Sequence, residues 1–312
     1  MINTVELLRE VGFLGEVREN EPMSQHTSLR IGGPAEVMAF PSSVEELSRM
    51  MAAATANKVP VFALGRGTNI LVLDGGVRGL VINLSKLSWT ELERGAAGTI
   101  QAHAGAGVTL PKLVSYLADN GCSGLEFAAG IPGTVGGAVA MNAGTKEAEM
   151  KDVLTSVTLV ESDGTVKRMK PAELEMGYRR CKLPEGSVLA EASFAVIPWP
   201  VEEVKERVAA AIRRRGNTQP TGVRSAGSTF KNPEGYSAWR LIEMAGLRSK
   251  SVGHAQVSSK HTNFLINTGG ATAKDYKALM DLVVATVKEK LNITLETEIK
   301  IVGVDAPARS AT

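Results

Sequence analysis

The stretch at 130–144, Gly-Ile-Pro-Gly-Thr-Val-Gly-Gly-Ala-Val-Ala-Met-Asn-Ala-Gly, constrains this chain more than any other. Five glycines in fifteen residues, with alanine in several of the gaps, leave almost no side chain, so a second backbone, a packed helix or a flat ligand must come close. A shorter glycine loop, Gly65-Arg66-Gly67-Thr68-Asn69-Ile70, follows strand-forming residues at 59–64. Its glycines permit the left-handed backbone in which successive amides converge on an anion such as a pyrophosphate, and a plain tight turn accounts for the same residues. It is not the Gly-x-Gly-x-x-Gly nucleotide fingerprint. Its sixth position is Ile70, and 71–83 reads as strand, turn and strand rather than as a helix.

Helical signals lie at wide intervals around these loops. Ser43 with Glu46 is a capping box before Val44, Leu47 and Met51; Leu110, Leu113, Val114, Leu117 and Ala118 form one helical face closed by Gly121. Strands are expected at 59–64, 79–84, 156–161 and 188–197, with Asp163-Gly164 as a hairpin turn. After Pro198-Trp199-Pro200 the pattern changes, and the prolines mark a boundary there. A helix with Val204, Val208, Ala211 and Ile212 on one face ends in Arg213, Arg214 and Arg215. Beyond it come a helix near 238–245, a strand at 263–267, a long helix from Thr272 and a strand at 293–302, which make a self-sufficient α+β unit. In the last strand Ile293, Leu295, Ile299 and Ile301 are expected on one face, with Glu296, Glu298 and Lys300 on the other.

A chain of 312 residues exceeds the usual single-core size, so two or three packed units are expected. The formal charge of +2 gives no general footprint for nucleic acid, so any anion site must be local. Cys122 and Cys181 stand in no metal-ligand spacing, which argues against a zinc site or disulfide framework and for a reducing, cytoplasmic setting. The first residues are too acidic for a signal peptide, and no apolar run has the length of a membrane span.

Taken in order, the motifs resemble the flavin-binding domain of the vanillyl-alcohol oxidase superfamily, and within it the UDP-N-acetylenolpyruvoylglucosamine reductase (MurB) family. The matching stretches are 26–35, 65–72, 130–144, Gly177-Tyr178-Arg179, 226–233 and 295–303, collinear over about 24–303. The resemblance implies an α+β fold: a two-part FAD-binding domain of the vanillyl-alcohol oxidase type at 1–86 and 87–200, a C-terminal α+β substrate-binding domain at 201–303, and a tail at 304–312. It implies non-covalent FAD held by Arg66, Gly67, Thr68, Asn69, Gly130, Ile131, Pro132, Gly133, Gly137 and Asn142, with no metal. His26, His103 and Cys122 are the residues that a covalent flavin link would need. The implied reaction is the NADPH-dependent reduction of UDP-N-acetylglucosamine enolpyruvate to UDP-N-acetylmuramate in peptidoglycan precursor synthesis, with no nucleic acid, membrane or obligate protein partner.

Hydride delivery to the vinyl carbon leaves negative charge on the carbon bearing the carboxylate, so the protein must hold an enolate and then protonate it. The resemblance gives the first task to Arg179, whose fork holds two oxygens. It makes Ser228 the proton donor and Glu298 the catalytic glutamate; the alkoxide that Ser228 would leave calls for a stabilising charge, for which Lys231 or another nearby cation is available. Tyr178, Asn232 and Arg248 are implied substrate contacts, with Tyr236 and Gln219 as further possibilities. Read only as residues, Ser228 also fits a turn cap, and the arginines at 213–215 suit either their own helix dipole or a diphosphate. One departure is visible. A longer class of the family inserts a tyrosine-bearing loop between the equivalents of Arg179 and Ser228, whereas here only 48 residues separate them, as in the shorter class. Two other functions share parts of the pattern: a superfamily oxidase or dehydrogenase, which leaves the serine motif and terminal glutamate unused, and an electron-transfer flavoprotein, which has no need of a substrate domain.

Overall fold

A computed structural model describes residues 3–306. In chain order the elements begin with α1 (Thr4–Glu10), β1 (Val17–Pro22), β2 (Pro34–Ala39), α2 (Val44–Ala56), β3 (Val61–Leu64), β4 (Ile70–Val72), β5 (Val77–Asn83), β6 (Thr90–Arg94) and β7 (Ile100–Gly105). Then follow α3 (Leu110–Asp119), β8 (Cys122–Ser123), α4 (Val135–Ala140), α5 (Met150–Val153), β9 (Leu154–Val160), β10 (Val166–Met169), β11 (Val188–Pro198) and α6 (Val201–Thr218). The C-terminal part holds β12 (Arg224–Ser228), α7 (Ala238–Met244), β13 (Ser251–Val252), β14 (Ala255–Val257), β15 (Phe264–Asn267), α8 (Ala273–Leu291) and β16 (Lys300–Val302).

Local signals place most of these elements. Ser43 caps α2 by accepting from the Glu46 amide at 3.2 Å, while the Glu46 carboxylate reaches back to Ser42 N at 2.7 Å. Asp163-Gly164 turns β9 into β10, with Gly164 at φ +88 and Glu161 N donating to Thr165 O at 2.8 Å. The expected face of α3 is buried throughout.

Two compact units result. The first comprises the chain through Arg18 with 37–66 and 79–215; the second comprises 19–36, 67–78 and everything from Gly216. In the first, β3 runs parallel to β5, and a six-stranded sheet orders β10-β9-β11-β7-β6, with β8 on β11. Its core gathers Phe13, Leu47, Ile82, Leu113, Leu159 and Phe194, all buried. In the second, a sheet of order β12-β15-β14-β13 packs with α7 and α8 around Tyr276, Phe230, Leu265 and Val283, while β16 lies parallel to β4. The Tyr276 hydroxyl sits wholly inside, its ionisation pushed up by burial, and donates to Leu265 O at 3.2 Å.

This grouping differs from the boundaries expected at 86, 200 and 303. The helix after Pro200 belongs to the first unit as far as Arg215, because Val204 is buried and Val208 and Ala211 pack on the first core; Ile212, expected on that face, is 50% exposed. Segment 67–78 belongs to the second unit because β4 pairs with β16 and the Asp74 carboxylate accepts from the first amides of α8, Ala273 N at 2.9 Å and Lys274 N at 3.1 Å. Segment 19–36 belongs there too, with Asn267 Nδ2 donating to Leu29 O at 2.9 Å.

The strand expected at 293–302 is regular only over β16. Before it the chain pairs irregularly with 229–231, through Glu298 N to Thr229 O and Lys231 N to Glu296 O, both at 2.8 Å; at Lys300 it changes partner to β4. That exchange breaks the alternation: Leu295 and Ile299 are buried, but Ile301 is 42% exposed. The expected tail at 304–312 begins paired, since Val304 N donates to Gly76 O at 2.9 Å, and its part at 307–312 lies outside the described residues. Among the described residues no helix is long and apolar enough to cross a membrane, and no cluster of three or more His, Cys, Asp or Glu side chains is placed to hold a metal ion.

Candidate active site

In the first unit the two glycine loops meet. A Cβ on Gly65 would stand 2.5 Å from Thr134 Oγ1, so this position admits nothing larger than glycine, and β3 delivers Arg66 beside the start of α4. Thr134 also caps α4, accepting from Gly137 N at 3.4 Å. Of the two adjacent glycines, Gly136 faces Ala106, where a Cβ would meet Ala106 Cβ at 2.9 Å, while Gly137 is exposed and a Cβ there would meet only Thr134 Oγ1 at 3.6 Å. Ile131 is buried, with its amide on Ala128 O at 3.0 Å, and Gly133 O receives Leu110 N at 3.1 Å, so the turn at 130–133 is tied to α3. An exposed Arg66 and an open strip at Gly137 beside small side chains fit the flat, anionic FAD molecule.

Asn142, expected as a cofactor contact, has its side chain engaged within the protein. It is fully buried, with φ +41. Nδ2 donates to Glu149 Oε2 and to Gly177 O, each at 2.9 Å, and Oδ1 accepts from Lys151 N at 2.9 Å. The bond to Gly177 anchors a tight turn. Gly177 N donates to Arg180 O at 2.8 Å and Arg180 N returns the bond at 3.0 Å, which places Tyr178 and Arg179 at the tip. Arg179 has φ +53, a left-handed conformation that costs an L side chain roughly 1–3 kcal/mol and is held only where the surroundings enforce it. Its guanidinium lies 5.1 Å from the exposed Tyr178 ring and donates to Gly144 O at 3.4 Å.

Sequence reasoning left Arg215 undecided, and the structure separates it from its neighbours. Arg213 pairs with Glu206 at 2.6 Å and Arg214 with Glu147 at 2.8 Å, whereas Arg215 is half-buried against the second glycine loop. Burial, and after it the charge of Arg179, push its guanidinium below the ordinary value. The run of three arginines was visible; that the helix continues past them to Thr218, and which of them turns inward, was not.

In the second unit Ser228 ends β12 beyond a bulge, where the register against β15 shifts between Ser225 and Ser228 and Gly227 has φ +77. A bulge re-aims the side chain that follows it. Asn263, which sequence reasoning missed, holds the next residues from behind: Phe230 N donates to its Oδ1 at 3.0 Å and its Nδ2 donates to Phe230 O at 2.8 Å. Glu298 lies on the neighbouring segment, its amide on Thr229 O. Asn69 ties the first glycine loop to that segment, donating through Nδ2 to Glu298 O at 3.2 Å and accepting from Lys300 N at 3.0 Å. Gly67, Thr68, Asn69, Ser228 and Glu298 therefore belong to one unit, and Arg66, Gly130, Ile131, Pro132, Gly133, Gly137, Asn142, Tyr178 and Arg179 to the other.

Other expected site residues also have partners within the chain. A Cβ on Gly67 would stand 2.3 Å from His26 O, so its φ of +58 serves backbone packing inside the second unit. Lys231 pairs with Glu296 at 3.3 Å, which draws its charge toward that carboxylate. Asn232 Oδ1 accepts from Ala238 N at 2.9 Å and so caps α7. The Arg248 fork is taken by both carboxylate oxygens of Glu243 and by Ser259 O. His26 pairs with Glu21 at 2.7 Å, His103 with Ser193 at 2.8 Å, and Cys122 is buried with its thiol pushed up by desolvation.

Comparison with known proteins covers both units. Residues 35–170 match the model of an FAD binding domain, and 219–302 match that of the UDP-N-acetylenolpyruvoylglucosamine reductase C-terminal domain. Among relatives, the UDP-N-acetylenolpyruvoylglucosamine reductase of Geobacter metallireducens is 43% identical over 93% of this chain and 95% of its own; that of Agathobacter rectalis is 43% identical over 96% and 97%. Among solved structures, the reductase (MurB) from Thermus caldophilus superposes with TM-score 0.79 at 39% identity, covering 93% of this chain and 99% of that one.

Proposed function

The chain belongs to the UDP-N-acetylenolpyruvoylglucosamine reductase family and is a flavin-dependent oxidoreductase, and from that premise we propose how its residues divide the work. The reaction is the NADPH-dependent reduction of UDP-N-acetylglucosamine enolpyruvate to UDP-N-acetylmuramate in peptidoglycan precursor synthesis. The observation that carries this reading is similarity over nearly the full length of both partners rather than over the flavin domain alone. Bound FAD supplies the hydride, which NADPH renews. The first-unit loops, with Arg66, Gly130, Ile131, Pro132, Gly133 and Gly137, hold the cofactor, and Thr68 and Asn69 continue the first of these loops in the second unit.

Arg179 takes the substrate carboxylate. Its fork matches two oxygens, and its strained backbone is the kind of outlier that marks a site where position matters more than local stability. Ser228, re-aimed by the bulge and followed by a segment that Asn263 holds at Phe230, gives its proton to the carbon that bears the carboxylate once hydride has arrived. A hydroxyl is a weak acid, but that carbon is then a strong base, so the transfer runs downhill. Glu298, beside Ser228 in the strand pairing, is the second acid–base group. The setting we propose is the cytoplasm, which suits the free thiols of Cys122 and Cys181.

An anaerobic titration tests the reading. NADPH should bleach the bound flavin, and the enolpyruvyl nucleotide should restore its colour with formation of the lactyl ether. Flavin that stays reduced after the nucleotide is added would refute the substrate assignment.

A further inference from the structure

Three consecutive arginines near the end of α6, which runs on to Thr218, have different fates. Arg213 and Arg214 meet the exposed carboxylates of Glu206 and Glu147. Arg215 turns inward. Its Cδ lies 3.2 Å from where a Cβ on Gly130 would stand, so the side chain runs across the first residue of the second glycine loop. Arg179 reaches the last residue of that stretch, donating to Gly144 O. Both arginines thus flank one glycine stretch, Arg215 along its first residue and Arg179 at its last, and the Arg215 guanidinium is lowered first by burial and then by the charge of Arg179. Like charges brought together out of water raise the free energy of the resting protein, and an anion held by both offsets that cost.

The chemistry states how much negative charge the site must hold. The enolpyruvyl group enters with one negative charge, on its carboxylate. Hydride forms a C–H bond at the terminal vinyl carbon, the π pair moves to the carbon bearing the carboxylate, and delocalisation gives an enediolate of charge −2. Protonation of that carbon returns the charge to −1. One guanidinium matches the substrate; two match the transient. A charge needed only by the transient lowers the barrier and leaves ground-state affinity little changed. We propose that Arg215 is a second guanidinium of the carboxylate site, acting with Arg179 to hold the doubly charged enediolate. This rests on the reductase reading above.

The test uses FAD-loaded enzyme and the variants Arg215→Met and Arg215→Lys, with the two half-reactions followed separately under anaerobic conditions. Arg215→Met should keep its flavin, its flavin midpoint potential and its rate of reduction by NADPH. Reoxidation by the enolpyruvyl nucleotide should slow by about 10²- to 10³-fold, the loss seen when one charge-stabilising donor is removed, with little change in nucleotide affinity. Arg215→Lys, which keeps the charge and loses the fork, should fall between the two and provides the measurement if the methionine variant does not fold.

Reoxidation of either folded variant at the parent rate would overturn the proposal. So would a shifted midpoint potential with both half-reactions slowed, which would place the charge on the flavin, and so would weaker nucleotide binding at unchanged reoxidation rate, which would make Arg215 a ground-state contact. Failure of the parent enzyme itself to be reoxidised by the nucleotide would sink the reductase reading, and the proposal with it, and is distinguishable from all of these.

Discussion

Replacing Asn142 with Ala should damage stability and chemistry by separable routes. The substitution removes three hydrogen bonds from a fully buried side chain. Two partners keep another bond: Glu149 retains Lys151 Nζ at 3.0 Å, and Gly177 O still accepts from Arg180 N. Lys151 N loses its side-chain acceptor. Counting about 1–2 kcal/mol for that amide and about 0.5–1 kcal/mol for each weakened acceptor gives a loss of about 2–4 kcal/mol. Alanine at φ +41 adds about 1 kcal/mol of backbone cost. Urea unfolding of FAD-loaded protein should show the destabilisation as a lower midpoint. The turn that presents Arg179 would lose an anchor, and a displacement of about 1 Å at a charge-holding group costs on the order of 10²-fold in rate. Reoxidation by the nucleotide should therefore slow while reduction by NADPH stays near the parent rate. Asn142→Gly, which relieves the backbone and still loses the hydrogen bonds, should reproduce the slow reoxidation. A variant with weakened flavin affinity and a normal reoxidation step would refute the reasoning and return Asn142 to the role of a cofactor contact.

Gly67→Ala should lower the unfolding midpoint of the flavin-free protein, by at least about 2 kcal/mol in stability, because its Cβ would strike the backbone of His26 and its φ is positive. A change in FAD affinity with an unchanged flavin-free midpoint would contradict that. Arg179→Lys should preserve reduction by NADPH and slow reoxidation by about 10-fold or more, since a point charge loses the paired geometry; equal slowing of both half-reactions would indicate a general defect instead. Ser228→Ala should keep its flavin and its reduction by NADPH while protonation slows by about 10²- to 10⁴-fold. Reoxidation at the parent rate would make the serine structural and Glu298 the acid.

Where a signal is local, the sequence was legible. Ser43 before α2 and Asp163 with Gly164 each decide an element within a few residues, and the helix cap and the turn they announce are present. Partnership between distant segments was not legible. Nothing near Pro200 announces that α6 packs on the first core, because that depends on Val204, Val208 and Ala211 packing on a core that includes Val114, Leu117 and Leu125. The alternation at 293–302 was read as one strand because periodicity records which faces are apolar and says nothing of a change of partner at Lys300. Among site residues, Arg179, Ser228 and Glu298 came from motif resemblance, and the features that hold them, Asn142 and Asn263, lack any distinguishing spacing.

The glycines show why resemblance outran residue-level reading at this site. Glycine is required wherever a Cβ does not fit, and a polypeptide, a packed side chain and a cofactor all make that demand in the same letter of sequence. The structure divides them. Gly67 answers to the His26 carbonyl, Gly65 to the Thr134 hydroxyl and Gly136 to the Ala106 side chain, while a Cβ on the exposed Gly137 would make only an ordinary contact with Thr134. Substitutions at the first three therefore test the scaffold, and only at Gly137 does added volume test the cofactor directly. The same division applies to the cations: Arg213, Arg214 and Arg248 are committed to carboxylates of their own chain, whereas Arg179 and Arg215 reach opposite ends of one glycine loop. A charge that answers to the fold stabilises the resting protein. Arg215, desolvated within reach of the charge of Arg179, lies where an anion formed in the reaction would be stabilised by both.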